Sequence, residues 1–164
     1  DLGRGFEFAQ IDRRGRTQGD AGLNVSFGHL SLLCQVRASD EAVLESLGKD
    51  DARLRDRIRR MRNWIASDFF PEESRIVLRA TSVDAEDRAL LLGVREFISA
   101  VEWKASEIQN GLPDVAKALD LPVRDAFRVT YQSLLGKSRG PRVGSLLAAF
   151  DRRTVLETLD SALD

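Results

Sequence analysis

Apolar residues recur along this chain at the spacing of an α-helix. Leu90, Val94, Phe97, Val101, Ala105 and Ile108 step by 4, 3, 4, 4 and 3. Such steps place one side chain per turn on a single face. They predict one long helix from near Asp84 to Asn110, about 40 Å at the usual rise per residue. Asn110 and Gly111 would end it. Leu54, Ile58, Met61 and Ile65, spaced 4, 3 and 4, predict another from about Asp51 to Ser67. No strand pairing, internal repeat or low-complexity tract is evident, so the expected fold is all-α.

Start and stop residues divide the remainder. Residues 1–22 read as a linker or flexible N-terminal segment: Phe6, Phe8 and Ile11 could anchor it, and Arg13 to Gly22 is polar and glycine-rich. Ser26 is a suitable N-cap for a helix burying Phe27, Leu30, Leu33 and Cys34. Asp40 can cap a shorter helix with Val43, Leu44 and Leu47, closed by Gly48. Pro71 marks a connection, and residues 75–80 read as a brief extended piece or turn. After Gly111 the helices shorten: Pro113 opens one to Leu119, and Pro122 opens another to Leu135. In the second, Val123, Phe127, Thr130 and Leu134 form the expected buried stripe. Gly136 ends it. Pro141 starts the next helix, with Val143, Leu146, Leu147 and Phe150 inward, and Asp151 caps the last, with Leu156, Leu159 and Leu163 inward. The expected organisation is a linker (1–22), a helical bundle (23–110) and a unit of short helices (111–164).

Composition narrows the functions. With 164 residues, 43% apolar and 31% charged, the chain can bury a sizeable core. No apolar run approaches the ~20 residues that span a bilayer, and the N-terminus lacks the apolar block of a signal peptide. The start at Asp1 suggests a piece of a longer protein. Cys34 is the single cysteine and His29 the single histidine. A disulfide framework is therefore out, and a reducing cytoplasm is the expected compartment. With no second histidine and with Cys34 on an apolar face, no metal site is expected; a Ser-His-Asp arrangement would have to use His29, and no serine stands in anything like a nucleophile elbow. The sequence holds no nucleotide-hydrolase phosphate loop, dinucleotide fingerprint or CxxC. Glu72 and Glu73 read as the acidic start of a turn. No constellation capable of catalysis is found.

Binding chemistry remains. Net charge is −1, yet residues 122–144 hold five Lys/Arg against one Asp. In GKSRGPRVG (136–144), Lys137, Arg139 and Arg142 stand among Gly136, Gly140, Pro141 and Gly144. Cations there can meet phosphates as point charges or bidentately. Glycines let a phosphate or base approach the backbone, and a helix starting at Pro141 would add free amides. Arg124, Arg128 and Tyr131 share one face of the preceding helix. Cations with an aromatic ring suit unpaired RNA. The candidate RNA-binding residues are thus Arg124, Arg128, Tyr131, Lys137, Ser138, Arg139, Gly140 and Arg142; no catalytic or metal residue is assigned. The plainer alternative is a helix connector with solvated charges and Tyr131 partly in the core. Arg53, Arg55, Arg57, Arg59, Arg60 and Arg62 also crowd one helix, either as a solvated face paired with neighbouring acids or as a second phosphate contact. Trp103 reads as core or subdomain interface rather than a base-stacking ring.

LLGKSRGPRVGSLLAAF followed by DRRTVLETL resembles the C-terminal end of class I lysyl-tRNA synthetases. VSFGHLSLLCQV resembles the opening of that family's helical region, and NWIASDFFPEE its tryptophan-containing helix end. With DVAKALDL and FRVTYQSLLG, the resemblance covers most of residues 24–163. It implies a helix bundle followed by an α-helix cage that holds a tRNA anticodon, with a catalytic domain N-terminal to this chain. It implies a cytoplasmic lysine-tRNA ligase using ATP, lysine and tRNA. The HIGH-type and KMSKS-type motifs of the catalytic half are missing here. The expected fragment is therefore noncatalytic, needs no cofactor of its own and has tRNA as its partner. A glutamyl-tRNA-synthetase-like anticodon-binding domain and a helical protein-interaction module are the alternatives.

Overall fold

A computed structural model of the protein describes residues 25–164; the expected linker at 1–22 lies outside them. Among the described residues the fold is all-α, as the periodicity predicts, with eight α-helices, one short 3₁₀ turn and no strand. The helices are α1 (Phe27–Val36), α2 (Asp40–Leu47), α3 (Ala52–Ile65), α4 (Arg88–Ala100), α5 (Ala105–Ala118), α6 (Val123–Leu135), α7 (Val143–Ala149) and α8 (Arg152–Leu163). No helix among the described residues is long and apolar enough to cross a membrane.

Local caps explain the first three helices. Ser26 accepts from His29 N at 3.2 Å and Asp51 from Leu54 N at 2.8 Å. Ser39, not Asp40, caps α2, accepting from Ala42 N at 3.1 Å. Asp40 instead receives Arg62 from α3. Gly48 and Gly136 adopt φ of +62°, the left-handed geometry that ends α2 and α6. Leu54, Ile58 and Met61 are buried as read, and so are Leu30, Leu33 and Cys34. Burial pushes the Cys34 thiol pKa up, against the pull of Arg62. Phe27 departs from that stripe and stands 62% exposed.

The expected long helix is two. α4 stops at Ala100, residues 101–104 turn, and α5 folds back antiparallel. Gly111, predicted as a stop, lies inside α5. A Cβ there would sit 2.5 Å from Phe97 Cε2, and one at Gly93 would meet Val115 Cγ1 at 3.0 Å. The two glycines let α4 and α5 approach closely. The apolar run was one stripe in sequence; folded at its middle, it becomes two facing stripes. The corner is fastened by side chains that periodicity cannot register. Trp103 Nε1 donates to Phe150 O at 3.0 Å, while Arg152 donates to Ser99 O at 3.3 Å and to Val101 O. The Arg152 guanidinium lies 5.2 Å from the centre of the Trp103 ring, so Trp103 serves as an internal joint. Pro113, read as a helix opener, is also inside α5, which loses the bond to the Gln109 carbonyl there. The division expected at residues 110/111 falls within this helix.

α6 buries Ala126, Val129, Thr130, Ser133 and Leu134 rather than a stripe led by Val123, which is 37% exposed. Residues 76–83 pass the end of α6 without regular secondary structure, and there Arg79 N donates to Leu134 O at 2.7 Å and Thr81 N to Ser133 O at 3.0 Å. α7 packs on α5 and touches α1, so the loop before it faces α1 and the 72–76 segment.

Candidate nucleic-acid interface

The glycine-rich loop is held at its base, middle and far end. At the base, Lys137 Nζ donates to Glu73 O and Arg75 O, each at 2.8 Å. In the middle, the Tyr131 hydroxyl donates to Pro141 O at 2.5 Å. The Tyr131 ring lies where a Cβ on Gly140 would come within 3.1 Å of its Cε1. At the far end, Gly144 N donates to Gln109 Oε1 at 3.0 Å, and a Cβ on Gly144 would fall 2.0 Å from Ala105 O. The helix after the loop starts at Val143 rather than Pro141, and the Gly144 amide expected to be free is already donated.

Of the candidate residues in the loop, Ser138, Arg139, Gly140 and Arg142 are exposed. The side chains of Arg139 and Arg142 form no hydrogen bond or ion pair among the described residues. The shape of their loop depends on other groups. Lys137, by contrast, is a structural tether.

Facing the loop across a cleft of about 600 Å³ is an aromatic wall. The Phe27 and Trp64 ring centres are 5.4 Å apart, and Trp64 meets Phe70 edge-on at 4.7 Å. Arg75 sits over Phe70 at 5.2 Å. Phe70 is buried, so Phe27 and the half-buried Trp64 present the accessible rings. Gln35 fixes the rim: its Oε1 accepts from Ile76 N at 2.8 Å and its Nε2 donates to Ser74 O at 3.2 Å. Arg139, Ser138 and Gly140 line the opposite side with Lys137. Glu73 supplies a carboxylate with no partner among the described residues. The cleft thus offers ring faces on one side and a free guanidinium on the other, a pairing suited to an unstacked base and its phosphate.

The candidate residues from the sequence do not all converge. Ser138, Arg139 and Gly140 line the cleft; Arg142 stands just beside it. Tyr131 lies beneath the loop, and burial raises its hydroxyl pKa. Arg128 is engaged elsewhere. It donates to both Asp87 oxygens at 2.7 and 2.8 Å and lies 3.4 Å from Asp125. These bonds hold the Asp87 carboxyl below the usual carboxylate range and raise the Arg128 guanidinium further. Arg124 is exposed at the far end of the 13-residue α6. At ~1.5 Å per residue that is roughly 18 Å from the loop. Phe27 and Trp64 were missed as site residues. They are 37 positions apart in sequence, and only the packing of α1 on α3 joins them.

No family model matches the chain. It has curated relatives among the tRNA ligases. They include the lysine–tRNA ligases of the archaea Thermoplasma volcanium (29% identity over 149 residues, 85% of this chain), Pyrococcus furiosus (32% over 123 residues, 71%) and Archaeoglobus fulgidus (28% over 151 residues, 85%). The chain spans only 29%, 23% and 30% of these proteins, respectively. It is thus related to part of the lysine–tRNA ligases, as the resemblance implies.

Proposed function

We propose that this chain is the tRNA-binding helical region of a lysine–tRNA ligase, and that its cleft takes an unpaired nucleotide of the anticodon loop. On this reading the lysine- and ATP-dependent chemistry belongs to a separate catalytic domain of the intact cytoplasmic enzyme. The observation that carries it is the free Arg139 guanidinium lining one cleft with the exposed Phe27 and half-buried Trp64 rings. A nucleotide is anionic and planar, so it can cover an exposed cation and a neighbouring ring face together. The cleft draws on both the bundle and the short-helix region, so anticodon recognition would use their junction.

The test is binding of an anticodon stem-loop RNA by fluorescence anisotropy. Trp64→Ala and Arg139→Gln should each weaken binding about tenfold, since stacking of one base contributes ~1–3 kcal/mol and a charged hydrogen bond a similar amount. A loop with a scrambled anticodon should bind more weakly than the lysine anticodon, and no better with a glutamate anticodon. Equal affinity for all loops, or indifference to both substitutions, would sink the proposal. The protein-interaction alternative drew on the arginines of α3, and the pairing of that face weakens it. Arg55 binds Asp50, Arg59 and Arg60 bind Asp56, and Arg62 binds Asp40.

A further inference from the structure

The large cleft continues past Gly28 and Pro141. A second hollow of about 230 Å³ adjoins it, and Gly28, Leu32 and Pro141 line both. Beyond them the second hollow is lined by His29, Arg142 and Ser145. Ser26 also borders it, but its hydroxyl already accepts from His29 N at 3.2 Å. Arg142 and Ser145 make no side-chain bond among the described residues.

The two hollows differ in size and chemistry. The larger has Phe27, Trp64 and Phe70; the smaller has no Phe, Tyr or Trp, its one ring being the His29 imidazole. In the smaller the unengaged polar groups include the Arg142 guanidinium and the Ser145 hydroxyl, on an otherwise largely apolar lining, so what it offers a strand is a phosphate contact at Arg142. Between them stands Gly28, where an added Cβ would meet nothing within 4 Å. The passage over that residue is open because no side chain fills it.

We infer that the two hollows form one track for consecutive positions of a single RNA strand. A base stacks in the larger hollow, the backbone crosses Gly28 and Pro141, and the adjoining phosphate lies against Arg142 in the smaller. Ser145 is placed to donate to the same phosphate or its ribose. This inference rests on the RNA reading above and adds a second subsite with its own residues. Arg139 and Arg142 then serve different positions of the strand.

The experiment uses the full chain and a stem-loop RNA in which one loop phosphate at a time is replaced by an uncharged methylphosphonate. Wild-type protein should show one linkage whose neutralisation costs about tenfold in affinity, the effect of losing one charged hydrogen-bonded contact. Arg142→Gln and Gly28→Leu should each bind the intact loop about tenfold more weakly and become indifferent to that linkage. Arg139→Gln should remain sensitive to it. Gly28→Leu places a good helix former in an open helical site, so it should melt no lower than wild type, which separates a blocked passage from misfolding. Millimolar inorganic phosphate, offering the same oxygens without a strand, should not displace the loop; displacement would mark a free-anion site and overturn the track. Wild-type affinity in both Gly28→Leu and Arg142→Gln, with Trp64→Ala and Arg139→Gln weakened, would overturn the track and leave the RNA reading standing. Wild-type affinity in all four would overturn both.

Discussion

Six arginines crowd α3 between residues 53 and 62, and three cations crowd the loop between 137 and 142. By charge density α3 is the stronger candidate for a polyanion. The fold reverses that order. Asp50, Asp56 and Glu41 lie against Arg55, Arg59 and Arg60, and Arg57 donates to Val25 O at 2.8 Å. Arg62 reaches Asp40, Cys34 O and Arg37 O, lacing α3 to α1 and α2. In the loop only Lys137 is engaged in this way. Arg139 and Arg142 stand exposed with no such partner. A cation becomes available to a ligand when the fold gives it no acid or carbonyl, whatever its neighbours in sequence.

The largest effect expected from breaking this arrangement is at Gly144. A Cβ there would lie 2.0 Å from backbone, which cannot yield as a side-chain tip can. Gly144→Ala should lower stability by about 3 kcal/mol, the upper range for overpacking, measured by urea unfolding. It should also disorder the loop's seat and weaken RNA binding. Arg62→Ala should come next, costing about 2 kcal/mol by freeing the two carbonyls and Asp40. RNA affinity of the remaining folded protein should be unchanged; a loss of affinity there would blur the contrast between the two regions.

Asp87 and Arg128 sharpen the contrast at the far end of α6. The Asp87 carboxyl has its pKa depressed in the folded state, chiefly by hydrogen bonds from Arg128. Its contribution is therefore present above the ordinary carboxylate pKa and lost as pH falls below about 4. Asp87→Asn should cost about 1 kcal/mol at neutral pH, discounted for the 40% exposed Arg128 side chain. The difference from wild type should fade in acid; a difference that persisted at pH 2 would refute the ion pair as its cause. The smallest effect belongs to Arg59→Gln with Arg60→Gln, both on the solvated side of α3. Melting should move by no more than about 2 °C, with RNA affinity within about twofold.

The helical class was legible because Leu54, Ile58 and Met61, or Leu90 and Val94, each carry the period in their own segment. The glycine loop was legible because Gly136 has to end α6 and its neighbours break the backbone. The α4–α5 corner was not. Nothing local at Val101–Lys104 is a strong stop; the turn depends on Trp103 meeting Phe150 and on Arg152, almost fifty positions further on. The aromatic wall was hidden for the same reason. Phe27 fits an apolar stripe by spacing, and only the position of Trp64 shows that it faces a cleft. Lys137 and Tyr131 read as ligand-facing groups because a sequence does not show which carbonyls lie near; in the fold both hold the loop.

The most direct measurement is the salt dependence of stem-loop binding for three proteins: wild type, Arg139→Gln with Arg142→Gln, and Arg59→Gln with Arg60→Gln. Each lost phosphate contact to a single strand should flatten the log–log slope by ~0.7. The loop pair should therefore reduce the slope by about 1.4, while the α3 pair leaves it at the wild-type value. Equal slopes for wild type and the loop variant, or flattening by the α3 variant alone, would contradict the assignment of the free cations to the glycine-rich loop.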